Sequence, residues 1–213
     1  MRTATAALLA FAIALAGPVH AQAPTREAAL ERLKSADPVE RRRAIVQLAQ
    51  AGTMDDVPVL LERLRDSDDG VREIAERAIW VLWSRSGNPQ VDTLFLQGID
   101  QMSAGQFQEG IATFSRVIEL APAFAEGWNK RATLYFLSGD LQRSLRDCDE
   151  VMKRNPNHFG ALAGYGQIYM QLGDYGQALA YFRRALAINP NLEGVEFQIR
   201  VLERLLEERG KKT

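Results

Sequence analysis

Apolar residues in this chain recur at helical rather than alternating spacing. In GDYGQALAYFRRALAINP, residues 173–190, an apolar stripe opens after Gly-Asp and closes at Pro190. A proline lacks the amide donor and clashes with the preceding turn, so it ends the helix there. Helical periodicity of this kind runs through residues 24–90, continues through 91–190 and extends into the last segment, where Val195, Ile199, Leu202, Leu205 and Leu206 share a side and charges take the other. The pattern predicts helices joined by tight turns and requires no strand anywhere.

The stretch is one copy of a repeat. Moved back by 34 residues it falls on GDLQRSLRDCDEVMKRNP (139–156), and by another 34 on GQFQEGIATFSRVIELAP (105–122). Gly105, Gly139 and Gly173 align, as do Pro122, Pro156 and Pro190. Phe107, Leu141 and Tyr175 form a bulky position, and Gly110, Ser144 and Ala178 a small one. Phe114, Cys148 and Phe182 follow, while upstream Gly98, Ala132 and Gly166 are small and Leu94, Trp128 and Leu162 large. Small residues at fixed positions let paired helices approach closely, and large ones fill the space between pairs. Glycine permits the turn between them.

With this spacing and these residues, 91–190 resembles the tetratricopeptide repeat. Three units follow by period: 91–124, 125–158 and 159–192. The third copy matches most fully, through Leu162, Tyr165, Gly166, Tyr169, Gly173, Tyr175, Ala178, Phe182, Ala185 and Pro190. In the first, Gln97 and Gln101 stand where the family prefers apolar or aromatic residues, which implies looser packing at that edge. Residues 191–213 read as a capping helix. Its five basic and five acidic residues argue against a membrane-surface role.

Residues 24–86 carry a different repeat, with an offset of 31. LERL occurs at 30–33 and 61–64, and the offset also relates Asp37 to Asp68, Arg41 to Arg72, Ala44 to Ala75 and Leu48 to Ile79. An Asp before the second helix of each unit suits capping of its free amides, and the Arg can reach nearby carbonyls. These two units resemble HEAT repeats, of the short kind found in bilin lyases, although no lyase activity is carried over from a likeness of fold. Trp80 and Trp83, just before the junction SRSGNPQ (84–90), are expected to be core that docks one array on the other. The expected fold is all-α: a right-handed α-solenoid of two HEAT-like units, three tetratricopeptide units and a capping helix, read as one continuous structure.

The N-terminus differs. Arg2, the apolar run 6–17, Pro18 and VHAQA match a secretory signal, with cleavage after Ala21 or after Ala23. The apolar run is shorter than a spanning helix needs, so no stable membrane insertion is expected after cleavage. The expected location is periplasmic or secreted. Removing residues 1–21 takes only Arg2 from 26 basic and 27 acidic residues, leaving a net charge of about −2. Without a basic face, nucleic acid is not an expected partner. With 46% hydrophobic and 25% charged residues the chain has a folded protein's composition. Cys148, the single cysteine, has no disulfide partner.

Catalytic chemistry finds little to work with. Beyond His20 in the signal, the only histidine is His158, in the turn NPNHFG, read as solvated or capping. DDVP (55–58) and DSDDG (66–70) lack the spacing of a calcium loop and read as helix caps. No phosphate loop or nucleophile elbow is present. Cys148 takes the slot of Phe114 and Phe182, as a packing thiol would. No metal, no cofactor and no enzymatic activity are expected.

The family resemblance implies a concave groove lined by the first helix of each unit: Phe95, Ile99 and Met102, then Asn129, Thr133 and Phe136, then Ala163, Gln167 and Met170. Some family members grip a C-terminal carboxylate with Lys, Arg and Asn here. Only Asn129 and Lys130 match that clamp, so an apolar peptide or amphipathic helix suits the groove better. The expected function is a non-enzymatic scaffold or adaptor for a protein or peptide partner. A chaperone or regulatory subunit of a secreted or envelope enzyme, for example in cytochrome maturation or cell-wall assembly, is the second reading, and an unrecognised hydrolase or lyase the third.

Overall fold

The computed structural model describes residues 25–210, which form eleven α-helices and no strand. Four build the N-terminal pair of hairpins: α1 (Arg26–Arg32), α2 (Pro38–Ala51), α3 (Val57–Arg63) and α4 (Asp69–Trp83). Three hairpins follow, formed by α5 (Pro89–Ser103) with α6 (Phe107–Leu120), α7 (Ala125–Leu137) with α8 (Leu141–Arg154), and α9 (Phe159–Gln171) with α10 (Tyr175–Ile188). The last helix, α11, spans Glu193–Gly210. The expected signal segment lies outside the described residues. No described helix is long and apolar enough to cross a membrane.

In the N-terminal pair the 31-residue offset is an offset of hydrogen bonds. Asp37 and Asp68 cap α2 and α4, accepting from Val39 N at 2.8 Å and Val71 N at 2.9 Å. Arg41 donates to the carbonyls of Ser35 and Ala36, and Arg72 to that of Asp66. Arg41 also clasps the Asp66 carboxylate of the next unit with two bonds of 2.9 and 2.7 Å. A planar guanidinium can serve carbonyls and a carboxylate together, which ties one turn to the next. Of the two acidic stretches, one supplies the Asp68 cap, and the other a capping box in which Asp56 accepts from Thr53 N.

In the C-terminal array the 34-residue period is one of backbone and volume. Gly105, Gly139 and Gly173 have φ of 73°, 77° and 76°, the left-handed region that closes each hairpin. Phe114 and Phe182 are wholly buried against Gly98 and Gly166, where an added Cβ would run into the rings. In the middle unit both members change together: Ala132 replaces the glycine and Cys148 the phenylalanine, and they share one core cluster. The larger helix residue is accommodated by a smaller partner, and Tyr165 and Ile168 pack in the same cluster. In the first unit Gln101 is satisfied by the Thr113 hydroxyl, which donates to it at 2.7 Å. Ile199 and Leu202 of α11 cover Ala178, Leu179 and Phe182, whereas Leu205, expected on that stripe, is exposed.

Both arrays are solenoidal, but they lie side by side rather than in the single file that the sequence suggests. Phe159, at the start of α9, is fully buried in the core of the N-terminal pair. Arg65 donates to the Ala187 and Ile188 carbonyls, and Asn191 Nδ2 donates to Leu64 O at 2.8 Å. The N-terminal pair therefore runs along the turns between successive tetratricopeptide units. The linker makes the reversal: Gly87 has φ 80°, and Asp92 accepts from both Ser86 N and its hydroxyl.

Candidate functional site

Among the predicted groove residues, the structure brings Asn129, Thr133, Phe136 and Gln167 to one cleft between α7 and α9, floored by Ala132, Cys148 and Ile168. Thr133 and Gln167 are exposed and Phe136 is half-buried. Thr133 donates its hydroxyl to Asn129 O at 3.0 Å, a local bond that leaves its methyl to the cleft. Phe95 is not a groove residue. It is 3% exposed and packs edge-on to Phe114 and Phe124, because α5 turns this face inward against α6 and the next turn. Ile99 and Met102 are half-buried against the same cluster, and Met170 packs toward α10 and α11. Ala163 is half-buried on α9 and does not line the cleft with its neighbours Gly160, Gly164 and Gln167.

The clamp-like pair is already committed within the molecule. Asn129 Nδ2 donates to both oxygens of Glu126 at 3.1 and 3.2 Å, and Lys130 Nζ lies 2.8 Å from the same carboxylate. His158 Nε2 completes the set at 2.8 Å, while its Nδ1 accepts from Ala161 N and caps α9. His158 thus caps, as expected, but it is fully buried rather than solvated. Burial alone would push the Glu126 carboxyl up, but the bond and charge of His158, with Lys130, outweigh it and hold the carboxyl below the usual range. Sequence reasoning missed Glu126. Its spacing to Asn129 and Lys130, three and four residues on along one helix, was a readable signal, but His158 is 32 residues away and the aligned positions Asp92 and Gly160 carry no such pair, so the repeat pattern gave none.

Trp80 and Trp83 dock the arrays as expected. Trp83 stacks on His158 with ring centroids 4.3 Å apart, and Trp80 meets Phe159 edge-on at 5.3 Å. Trp80 also covers Gly160, where a side chain would collide with its ring, and Lys130 lies over its other side at 5.4 Å. Gly160 lines the α7–α9 cleft too, so Trp80 packs against one of its wall residues.

Nucleophilic chemistry has little purchase in this cleft. Burial and the neighbouring Asp147 and Asp149 push the Cys148 thiol up to about 12, so it stays protonated at neutral pH. No cluster of three metal-ligating side chains occurs among the described residues. Beside the cleft, Tyr165, Tyr169 and Tyr181 stack with centroids 4.4 to 6.5 Å apart, and Tyr165 OH donates to Asp149.

Comparison with known proteins fits this architecture. Tetratricopeptide repeat models match residues 95–153 and 159–192, and a HEAT repeat model matches residues 3–95. A TPR repeat-containing protein of Rhizobium etli is 31% identical over 142 residues, covering 67% of this chain and 69% of its own length. The Hsp70-Hsp90 organizing protein of Triticum aestivum is 28% identical over 100 residues, 47% of this chain and 17% of that protein. Among solved structures, the Sgt2 TPR domain from Aspergillus fumigatus superposes with a TM-score of 0.55 at 20% identity, covering 58% of this chain and 83% of that one. MamA does so at 0.53 and 18% identity, covering 74% and 87%. The first TPR of Spaghetti, solved bound to the HSP90 peptide SRMEEVD, gives 0.53 at 20%, covering 55% and 93%. By its repeat pattern, its fold and its likeness to the Rhizobium etli protein, this chain belongs to the tetratricopeptide repeat family.

Proposed function

We propose that the protein is a non-enzymatic adaptor that holds a peptide or helical segment of a protein partner in the α7–α9 cleft, in the periplasm after export. The observation that carries the reading is the cleft itself, where Phe136, Thr133 and Gln167 present a half-apolar surface beside the fully paired Glu126 cluster. A half-buried aromatic flanked by adaptable polar groups suits the apolar face of a helix or an extended segment. The commitment of Asn129 and Lys130 to Glu126 argues against the acidic type of peptide seen with Spaghetti, since the cleft has no free cation from that pair to receive it. The N-terminal apolar run with its small-residue cleavage site supports export.

In-cell photo-crosslinking from a probe at position 136 tests the cleft. A dominant protein adduct that disappears when Gln167→Glu and Thr133→Glu are added is the expected result. No adduct from 136, together with capture from a probe on α2, would move the working surface to the N-terminal pair. Fractionation with intact-mass measurement tests export: the expected species is periplasmic and begins at Gln22 or Pro24.

A further inference from the structure

A second cavity, of about 200 Å³, opens where the two arrays meet. Its walls are the end of α4 and the linker (Trp83, Arg85), the turn into α7 (Phe124) and the turn into α9 (Arg154, Asn155, His158). Neither array could form it alone. Two of these buried side chains carry donors without an acceptor: Trp83 Nε1, on a residue 3% exposed, and Asn155 Nδ2, on one 8% exposed. Buried N–H groups are nearly always paired in folded proteins, so two on residues lining one cavity are an exception that a bound acceptor would remove. Asn155 Oδ1 is engaged in its own turn, accepting from Asn157 N, which orients the amide group. The equivalent Asn189 also has an unpaired Nδ2 but does not line this cavity.

The surrounding field favours an anion. Helix α7, thirteen residues long, begins here with Phe124 at its N-cap and, like α6, has no side-chain cap, whereas Asp140, His158 and Asp174 cap α8, α9 and α10. A helix start without a cap keeps amide donors and positive potential available. Arg85 and Arg154 bring two guanidiniums to the rim. Each gives some donors to the protein, Arg85 to Gln50 O and Arg154 to Pro122 O and Glu150. The one carboxylate in the wall, Glu126, is balanced by Lys130 and hydrogen-bonded to His158 and Asn129. Ala121, Ala123, Phe124 and Met54 give apolar lining, and the one further polar side chain, Ser86, donates its hydroxyl to Asp92.

We propose that this junction cavity binds a carboxylate group on a small apolar body, with Trp83 Nε1–H and Asn155 Nδ2–H as its donors. Two separate donors suit the two oxygens of a carboxylate, and the alanine and phenylalanine lining suits the carbon chain it sits on. The group could belong to a free small acid or to the end of a peptide. Either would bridge the arrays and stabilise their docking.

The indole N–H resonance of Trp83, assigned with Trp83→Phe, reads the site directly in the full-length mature protein. It would be titrated at matched ionic strength with butyrate, with a short peptide ending in a free apolar carboxylate, with the same peptide amidated, and with inorganic phosphate. The expected result is a saturable shift with butyrate or the free-ended peptide, absent with the amidated peptide. Butyrate alone would assign a free acid, and the peptide alone a chain terminus. Asn155→Ala, read from the same indole signal, and Trp83→Phe, read by titration calorimetry with butyrate, should each weaken binding at least fivefold. Asn155→Asp, which keeps the turn bond but removes the amide donor and adds a repelling charge, should abolish it with the fold intact by circular dichroism. An indole signal unmoved by both carboxylates, or moved as much by phosphate or by the amidated peptide, would overturn the proposal. Failure here leaves the crosslink from position 136 unaffected, because the two sites share no side chain.

Discussion

In the N-terminal pair, turns are held by charge: arginines reach back to carbonyls and across to a carboxylate, with aspartates capping the helices that follow. In the C-terminal array the hairpin turns are held by left-handed glycines, and the units are sized by matched small and large residues. Both solutions build stacked helix pairs, but they depend on different things. The first relies on hydrogen-bond geometry at its turns, over a fully buried apolar core of its own. The second relies on matched volume, supplemented by pairs between helices such as Arg131 with Asp147. At the seam where the arrays meet, Glu126, His158 and Lys130 form a second buried charged cluster besides the Arg131–Asp147 pair, here between α7 and the turn into α9.

That seam offers the largest effect. Glu126→Ala removes the centre of the cluster and leaves His158 and Lys130 facing an apolar wall, so a loss of about 3–5 kcal/mol is expected in chemical denaturation. Glu126→Gln adds a pH signature. Because the folded-state pKa of Glu126 lies below its unfolded value, its contribution is complete above the ordinary glutamate pKa and disappears as pH falls through the lowered one. The native protein should therefore lose stability on acidification more steeply than the Gln variant, and melts between neutral and acidic pH compare the two slopes.

Next in size is a volume change where volume governs. Gly166→Val would drive a branched side chain into the Phe182 ring, and about 3 kcal/mol of destabilisation is expected. An unchanged melting temperature would mean that α9 and α10 can separate without cost, contrary to the packing seen.

The smallest expected effect tests the charge-held array. Arg41→Ala should cost about 2 kcal/mol, since Asp66 and the Ser35 and Ala36 carbonyls lose their common donor. Arg41→Lys should recover less than half of this, because an ammonium cannot match the planar fork. Full recovery by lysine would show that charge alone holds the turn.

Most of the fold was legible because repetition amplifies local signals. One glycine or proline marks a turn weakly, but three at intervals of 34 leave little freedom, and the Asp and Arg offsets of 31 correspond one by one to caps and turn bonds in the structure. The site was less legible. The groove register identified Phe136, Thr133 and Gln167 on one cleft, yet it also placed Phe95 there, because an apolar residue on the first helix has the same pattern whether its neighbour is solvent or Phe114. Asn129 and Lys130 were recognisable as residue types and their helical spacing from Glu126 was there to read, while the fourth member of the cluster, His158, lies one repeat away.

The sequence by itself determined the helices, their turns, the two repeat lengths and the exchange of Gly and Phe for Ala132 and Cys148, since each follows from contacts within one unit or between adjacent ones. Only the tertiary structure decided that the arrays lie side by side, that His158 is buried beneath Trp83, and that Trp83 and Asn155 meet at one cavity. These contacts join residues tens of positions apart without any period, and only the direction of the linker at residues 84–88 brings them together.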